Sequence, residues 1–229
     1  MKVRNKIFTL AKKIKKGFYI AIEEIRGIHY APPNYIFKGN FQKSSVIVDV
    51  GCGFDADFSM YMINKYGLRA IGIDPTLRHK DSLSVLSEKM NGRFSHELLA
   101  VSTVDGKILF NESEDNVSGS ILSEHKNVSR DKIKKYEVES ISLSKLPEHL
   151  GLSKIEYIKL DLEGAEYEII KNIKESDLNK YDQIFIEFHH HCVPKYTPKD
   201  TLECVRKINS CGFRHYTLDN HNFLFYKTK

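Results

Sequence analysis

A carboxylate and a row of imidazoles close one apolar run of this sequence. Residues 185–191 read FIEFHHH, so that Glu187 is followed by His189, His190 and His191. Successive side chains of a strand point to opposite faces, which places Glu187 and His189 on one face if the run is a strand. An imidazole has an ordinary pKa near neutrality and can accept a proton from a reacting hydroxyl. The run therefore predicts an acid–base site at the end of a strand.

A second carboxylate, Asp161, closes the apolar run that begins at Ile155. Parallel strands end at the same edge of a sheet, so we expect Asp161 to lie beside Glu187 and His189. Two carboxylates and one imidazole suit a divalent ion such as Mg²⁺ or Mn²⁺, and these three residues are the predicted catalytic and metal-binding set. In the metal-free alternative, His189 is a general base oriented by Asp161 or Glu187. In the simplest alternative, the histidines are loop residues and Glu187 pairs with a lysine.

A glycine turn between a strand and a helix predicts a nucleotide-binding site. Residues 48–56 read VDVGCGFDA, in which Gly51 and Gly53 permit positive φ angles and let a ligand approach the backbone. One strand later, Asp74 is placed to accept hydrogen bonds from ribose hydroxyls. The spacing fits a nicotinamide dinucleotide and S-adenosylmethionine alike. Asp49 and the acidic turn favour the cationic S-adenosylmethionine over a pyrophosphate.

Two further positions extend the predicted nucleotide site. Ala100, Val101 and Ser102 offer an apolar wall and a hydroxyl to an adenine ring, with ordinary sheet packing as the alternative. Asp57 either contacts the ligand or caps the helix that follows the glycine turn. The predicted cofactor-binding residues are Asp49, Gly51, Gly53, Asp74, Ser102 and Asp161.

These residues need a scaffold that gathers the ends of several strands. From residue 45 onward, apolar strands alternate with helices, which predicts an α/β fold with a doubly wound, mostly parallel sheet. Ligands bind such sheets at the carboxyl ends of the strands. The last two strands meet near Asp219 and Asn220 and are predicted to form an antiparallel hairpin. The clearest predicted helices cover residues 56–66, 80–90, 165–173 and 199–210.

The middle of the chain combines a third strand with a long polar segment. Residues 94–102 are predicted as one strand and residues 107–110 as its hairpin partner. Residues 111–135 are rich in Ser, Asn and charge and have no clear period. We predict that they form a loop over the acceptor and that residues 17–44 help to shape the same pocket.

The composition is that of an ordinary globular protein. The 229 residues are 41% hydrophobic and 28% charged, with a formal net charge of +5. We predict a helical extension and linker over residues 1–44, with helix-breaking prolines in residues 31–34, and one catalytic domain over residues 45–229. The four cysteines contain no Cys-x-x-Cys pair, and no apolar stretch reaches the ~18 residues of a membrane span. A cytoplasmic location is expected.

The first 16 residues are the most basic part of the chain. They carry seven lysines or arginines and no acid, with apolar residues at helical spacing. Such a helix either makes peripheral contact with a membrane or polyanion, or caps the domain with its lysines in water. No broad basic and aromatic patch is present, so no nucleic-acid partner is expected.

Several motifs, in the order found here, resemble those of the FkbM-type methyltransferase family. They are IEYIKLDLEGAEYEIIKNI at residues 155–173, VIVDVGCG at 46–53, GIDP at 72–75 and IEFH at 186–189. One departure is the turn Gly51-Cys52-Gly53, where the family more often has Gly-Ala-Asn. The resemblance implies the class I fold of S-adenosylmethionine-dependent methyltransferases and, for many members, O-methylation of sugars, polysaccharides or related natural products.

The expected activity is S-adenosylmethionine-dependent O-methylation, with or without help from a divalent metal. The expected acceptor is a hydroxyl of a sugar, a nucleotide-linked sugar or a polysaccharide precursor. A nicotinamide-dependent oxidoreductase with a Rossmann-like fold is one alternative, and a methyltransferase of RNA or another small molecule is a second. Within the LDLEGAE motif, Glu166 is expected to cap the following helix, while the role of Glu163 is left open.

Overall fold

Strands dominate the part of the chain that the computed structural model describes, which comprises residues 27–116, 118–126 and 131–227. The strands are β1 (Ile28–Ala31), β2 (Tyr35–Lys38), β3 (Val46–Val50), β4 (Arg69–Ile73), β5 (Phe94–Glu97), β6 (Ala100–Ser102), β7 (Gly106–Ser113), β8 (Gly119–Ser120), β9 (Ile133–Ser142), β10 (Ile155–Leu160), β11 (Tyr181–Glu187), β12 (Phe213–Thr217) and β13 (Asn222–Lys227). They form a hairpin, a four-stranded sheet and a central seven-stranded sheet.

The helices follow the strands of the central sheet. They are α1 (Asp57–Tyr66), α2 (Lys80–Lys89), α3 (Leu146–His149), α4 (Glu166–Asn172), α5 (Glu175–Leu178) and α6 (Pro198–Ser210), with a 3₁₀ turn at Leu77–His79. The capping box between Thr197 and Asp200 begins α6, and Gly67 in a left-handed conformation ends α1. The four helices predicted from sequence are confirmed to within one residue at each end.

The central sheet has the predicted doubly wound arrangement. Its spatial order is β5-β4-β3-β10-β11-β13-β12. The first five strands are mutually parallel, whereas β13 runs antiparallel to both β11 and β12. The predicted antiparallel hairpin at the end of the chain is therefore confirmed. Chain order reverses between β3 and β10, so a crevice is expected at the carboxyl ends of these two strands.

Side-chain alternation divides the core between the two faces of the central sheet. Val48 and Ile158 pack on one face with residues of α4 and α6. Ile47 and Tyr157 pack on the other face with residues of α1 and of the β1–β2 hairpin. Strands buried on both faces must be apolar at almost every position. The few charged residues within them are therefore exceptions that need partners.

The four-stranded sheet corrects two expectations. Its order is β6-β9-β7-β8. Residues 94–102 are not one strand, because β5 pairs with β4 in the central sheet whereas β6 pairs in parallel with β9. Nor is β7 the hairpin partner of β6, since β7 pairs antiparallel with β9. The choice of pairing partner depends on non-local contacts, which the local pattern of residues 94–110 does not contain.

The segment expected to be a linker at residues 31–34 is the turn of the β1–β2 hairpin. Ala31 pairs with Tyr35 across this turn. Gln183 of β11 fastens the hairpin to the central sheet, since its side chain bonds both the N–H and the carbonyl of Lys38, at 2.7 and 2.9 Å. The hydroxyl of Tyr157 donates to the carbonyl of Ile36 at 2.9 Å. Proline breaks a helix but is equally suited to a turn, so the prolines of residues 31–34 do not by themselves distinguish a linker from a hairpin turn.

The remaining expectations concern the basic N-terminus, membrane-spanning segments and the cysteines. Residues 1–16, which are predicted to form a basic helix, lie outside the described residues. Across the described part of the chain, no helix combines the length and the apolar character needed to cross a membrane. All four cysteines are free thiols.

Candidate active site

A cavity of about 250 Å³ opens at the carboxyl ends of β3, β4 and β10. Gly51 and Gly53 form its floor, with φ angles of 74° and 69°. A Cβ atom on Gly51 would lie 1.9 Å from the carbonyl oxygen of Asp161, so only glycine fits this position. The carboxylates that line the cavity are Asp55, Asp57, Asp74, Asp161 and Glu163, and no lysine or arginine of the described residues lines it.

Asp74 lies at the end of β4, as predicted, and faces the cavity. Its Oδ2 atom accepts a hydrogen bond from the N–H of Gly53, and its Oδ1 atom accepts one from the N–H of Thr76, both at 2.9 Å. The Nδ1 atom of His79 lies 3.4 Å from Oδ1. Burial would raise the pKa of Asp74, but His79 and Thr76 more than offset this and lower it. An ionised carboxylate in this position can accept hydrogen bonds from ribose hydroxyls.

Asp49 does not line the cavity, contrary to its predicted contact with the cofactor. It is fully buried beneath the glycine turn, where Ser59 donates a hydrogen bond to its Oδ2 atom at 2.8 Å. The ammonium of Lys159 lies 3.3 Å from its Oδ1 atom, bonds the carbonyl of Gly51 at 2.8 Å and lies 3.4 Å from Asp161. Burial would lower the pKa of Lys159, but Asp49 and Asp161 raise it well above its usual value. Asp49 therefore neutralises a buried cation that supports the floor of the cavity.

Asp161 and His189 come together as predicted, but a third residue holds the histidine. The Oδ1 atom of Asp161 lies 3.5 Å from Nε2 of His189. On the other side of the ring, Nδ1 lies 3.1 Å from Oε1 of Glu166, which also accepts the backbone N–H of His189 at 2.9 Å. The second carboxylate oxygen of Glu166 accepts the N–H of Gly164 at 2.9 Å. Glu166 thus bonds the turn before α4 and orients His189. The expected side-chain cap of α4 is not found.

The surrounding charged groups determine the protonation of His189 and Asp161. Burial would lower the pKa of His189, but Glu166, Asp161 and Glu163 raise it well above its usual value. Burial raises the pKa of Asp161, while Lys159 and His189 act in the opposite direction. His189 is therefore protonated at neutral pH and has no free lone pair. Asp161 lines the cavity and His189 does not, so the carboxylate is the group that can meet a substrate.

Glu163 and His125 belong to the site, and sequence reasoning assigned a role to neither. Glu163 lines the cavity in a left-handed conformation with φ of 50°. Its Oε2 atom lies 2.7 Å from Nε2 of His125 and 3.5 Å from Nε2 of His189. Burial would raise the pKa of Glu163, but these two histidines more than offset it and lower the pKa. The LDLEGAE motif could have indicated Glu163, whereas nothing in the sequence around His125 distinguishes that residue.

Glu187 ends β11 but does not line the cavity. Burial, together with Asp161, raises the pKa of Glu187 to about 7. Among the described residues, no group of three or more His, Cys, Asp or Glu side chains has the geometry to hold a metal ion. Nδ1 of His189 faces Glu166, Nε2 faces Asp161 and Glu163, and Glu187 does not share the cavity with Asp161. The structure therefore does not support the predicted metal site of Asp161, Glu187 and His189.

Of the three residues predicted to contact adenine, Ala100 and Val101 line the cavity and Ser102 does not. Ala100, Val101 and Phe110 line the cavity. Ser102 does not, because its hydroxyl lies 2.7 Å from that of Ser140 and bonds the carbonyl of Val104 at 3.0 Å. The hydroxyl of Ser102 is thus held by Ser140 of β9 and by the loop at Val104 and is not directed into the cavity.

The segment 111–135, predicted as a loop, is partly strand. Its first three residues belong to β7 and its last three to β9, while residues 119–120 form β8. Gly119 and Ile121 line the cavity, and the hydroxyl of Ser120 donates to the carbonyl of Glu163 at 2.9 Å. The N–H of Lys126 donates to the carbonyl of Cys192 at 2.9 Å. The described part of the segment thus packs over the turn that carries Asp161 and Glu163.

The parallel sheet, the reversed final hairpin and the glycine-floored cavity are those of the class I methyltransferase fold. The family of the methyltransferase FkbM domain matches residues 45–215, and the chain belongs to this family. The match covers most of the chain and includes every residue of the cavity except Tyr35. A nicotinamide-dependent oxidoreductase is therefore not supported. No curated protein matches the sequence significantly.

Solved structures of methyltransferases resemble the fold at low sequence identity. TrmK of M. capricolum, solved with S-adenosylhomocysteine, has 15% identity and a TM-score of 0.41 over 82% of this chain and 65% of its own. A Methanococcus jannaschii fibrillarin pre-rRNA processing protein has 12% identity and a TM-score of 0.48 over 90% and 73%. An rRNA methylase of Streptococcus thermophilus has 11% identity and a TM-score of 0.45 over 82% and 89%. This chain thus spans slightly less than two thirds of the TrmK chain. The family assignment rests on the domain match and not on these likenesses.

Proposed function

We propose that this protein transfers a methyl group from S-adenosylmethionine to a hydroxyl oxygen of a carbohydrate acceptor. The observation that carries this proposal is the position of Asp161, whose carboxylate lines the cavity while His189 and Glu166 lie behind it. A hydroxyl that takes up a methyl group must lose its proton, and a carboxylate within reach of it can accept that proton.

The cavity has the groups that S-adenosylmethionine requires. Asp74 would bind the ribose hydroxyls, and Ala100, Val101 and Phe110 would contact the adenine ring. The glycine floor would allow close approach of the cofactor to the backbone. The excess of carboxylates in the cavity suits a ligand that carries a positive sulfur and an ammonium. When bound, the cofactor supplies an activated methyl group, and the residues of this chain orient the acceptor and receive its proton.

The proposed proton acceptor is Asp161. Its pKa is raised by burial, which makes it a stronger base than an exposed aspartate. Lys159 and protonated His189 fix its two oxygens from behind, at 3.4 and 3.5 Å. Glu166 in turn fixes His189. In this arrangement His189 is a positioning residue, in place of the general base that the sequence predicted.

The carbohydrate acceptor is proposed from the resemblance in sequence and from the chemistry of the cavity. Glu163 lies two residues after Asp161 and is held ionised by His125 and His189. A pair of carboxylates can accept hydrogen bonds from neighbouring hydroxyls of a sugar ring, one of which is the methylated group. Ile121 and Gly119 supply the apolar part of the wall.

The test is release of S-adenosylhomocysteine across a panel of nucleotide-linked sugars, monosaccharides and a short RNA. We expect release with at least one sugar and none with RNA, and Asp161→Asn should lower the release with the sugar about 10²- to 10⁴-fold. A parallel series with EDTA tests the role of metal, and we expect turnover to persist because Asp161, Glu187 and His189 do not form a group with the geometry to hold a metal ion. Release with RNA alone would contradict the proposed acceptor. Loss of turnover in EDTA, restored by Mg²⁺ or Mn²⁺, would contradict the metal-free mechanism.

A further inference from the structure

The β1–β2 hairpin completes one wall of the cavity. Tyr35, the first residue of β2, lines the cavity beside Asp57 and is 8% exposed. Its ring packs against Phe58 and Phe185, with centroids 4.9 and 5.8 Å apart. The matched domain begins at residue 45, so this wall comes from a part of the chain outside the family match.

Tyr35 and Asp57 form a pair through the tyrosine hydroxyl. The hydroxyl donates to Oδ1 of Asp57 at 2.9 Å, and the N–H of Phe58 donates to the same oxygen at 2.6 Å. No hydrogen bond from the described residues reaches Oδ2 of Asp57. Burial raises the pKa of Tyr35, so the hydroxyl remains a protonated donor at neutral pH. The pair therefore presents one oriented carboxylate oxygen toward the cavity.

The pair lies on the opposite side of the glycine turn from Asp74. Asp74 follows β4, whereas the ring of Tyr35 lies 5.3 Å from the ammonium of Lys159 in β10. In the sheet, β3 and its glycine turn separate these two strands. A cofactor whose ribose is held by Asp74 must cross the turn toward β10, and this brings its amino-acid end toward Tyr35 and Asp57.

The amino-acid end carries an ammonium group, which needs a carboxylate. The sequence predicts that Asp49 contacts the cationic end of the cofactor, but Asp49 is buried and paired with Lys159. Asp57 is exposed to the cavity and has an oxygen available. On the premise that the protein uses S-adenosylmethionine, we propose that Asp57 binds the ammonium group of the cofactor and that Tyr35 positions Asp57 for this contact.

The experiment compares two ligands on the full chain by calorimetry. S-adenosylhomocysteine carries the amino-acid end, and 5′-methylthioadenosine lacks it. Asp57→Asn should bind S-adenosylhomocysteine about tenfold more weakly, as expected for a charge-assisted hydrogen bond, and Tyr35→Phe about threefold. Both variants should bind 5′-methylthioadenosine like the wild type.

Tyr61→Phe is the matched control. The hydroxyl of Tyr61 also contacts the hairpin, since it donates to the carbonyl of Tyr30 at 3.3 Å, but it does not line the cavity. This variant should bind both ligands like the wild type. Unchanged binding of S-adenosylhomocysteine by Asp57→Asn, or an equal loss for both ligands, would overturn the inference while leaving the proposed function intact. A wild-type protein that does not bind S-adenosylhomocysteine would instead contradict the proposed function.

Discussion

The Oδ1 atom of Asp161 lies 3.5 Å from Nε2 of His189, and Glu166 holds the opposite nitrogen of the same ring. The three residues come from the end of β10, the start of α4 and the end of β11. A buried imidazolium between carboxylates is stable only if all of its partners remain in place. This group therefore connects the geometry of the proposed base to the stability of the fold.

Asp161→Asn should lower turnover about 10²- to 10⁴-fold, the usual contribution of a general base, because an amide cannot accept the proton of the acceptor hydroxyl. Affinity for S-adenosylhomocysteine should change little. Glu187→Gln is the matched control, since this carboxylate also ends a neighbouring strand but does not line the cavity. Initial rates and calorimetry measure both effects. Comparable losses of turnover in the two variants would show that Asp161 has no special role.

The pKa of His189 is raised by its folded surroundings, so the folded protein holds this proton more tightly than the unfolded chain does. The resulting stabilisation is fully present below about pH 6.5, the ordinary pKa of histidine, and is lost as pH rises through the folded pKa. We expect the free energy of unfolding to decline on the alkaline side, and His189→Gln to remove part of this decline.

Urea unfolding between pH 6 and pH 10 measures this dependence. The titratable groups that face His189 are Asp161, Glu163, Glu166, Glu187, His125, His190, His191 and Cys192. His96→Gln provides a control, because burial lowers rather than raises the pKa of His96. If the free energy of unfolding of His189→Gln falls with pH as steeply as that of the wild type, the raised pKa of His189 is refuted.

Asp74→Ala should weaken binding of S-adenosylhomocysteine roughly 5- to 100-fold, because about 1–3 kcal/mol is lost when buried hydrogen-bond donors have no acceptor. Calorimetry measures this loss. Asp81→Ala removes an exposed carboxylate from α2 and should bind like the wild type. Equal affinity of Asp74→Ala and wild type would remove Asp74 from the cofactor site.

Gly51→Ala should be far more damaging than Gly92→Ala. Both glycines have positive φ angles, 74° and 78°, so alanine strains the backbone at either position by about 1–2 kcal/mol. Only at Gly51 would the added Cβ also meet the carbonyl of Asp161, at 1.9 Å, whereas nothing lies within 4 Å at Gly92. Thermal unfolding and cofactor binding should separate the two variants. Equal losses would mean that backbone strain alone matters at Gly51.

Local patterns predicted the elements of the central sheet because periodicity and capping are properties of short segments. The helices, the parallel strands and the final hairpin are confirmed. The wrong predictions concern which strands pair with one another. β6 and β7 both pair with β9, some 30 residues further along the chain, so no local turn signal could indicate it. The proline pair at residues 32–33 likewise predicts the end of a helix, and only the pairing of β1 with β2 shows that it lies in a hairpin turn.

The sequence by itself determined which carboxylates follow the strands of the central sheet, because Asp74 and Asp161 lie in short motifs whose strand–turn geometry is local. The tertiary structure alone decided what each charged group meets. Asp49 turned out to neutralise Lys159 because the two strands align them in register. His125 meets Glu163, and Tyr35 meets Asp57, from segments 38 and 22 residues away. Burial and these new partners together shifted the pKa values of Lys159, Glu163 and Tyr35, and burial depends on how the whole chain packs rather than on any neighbour in sequence.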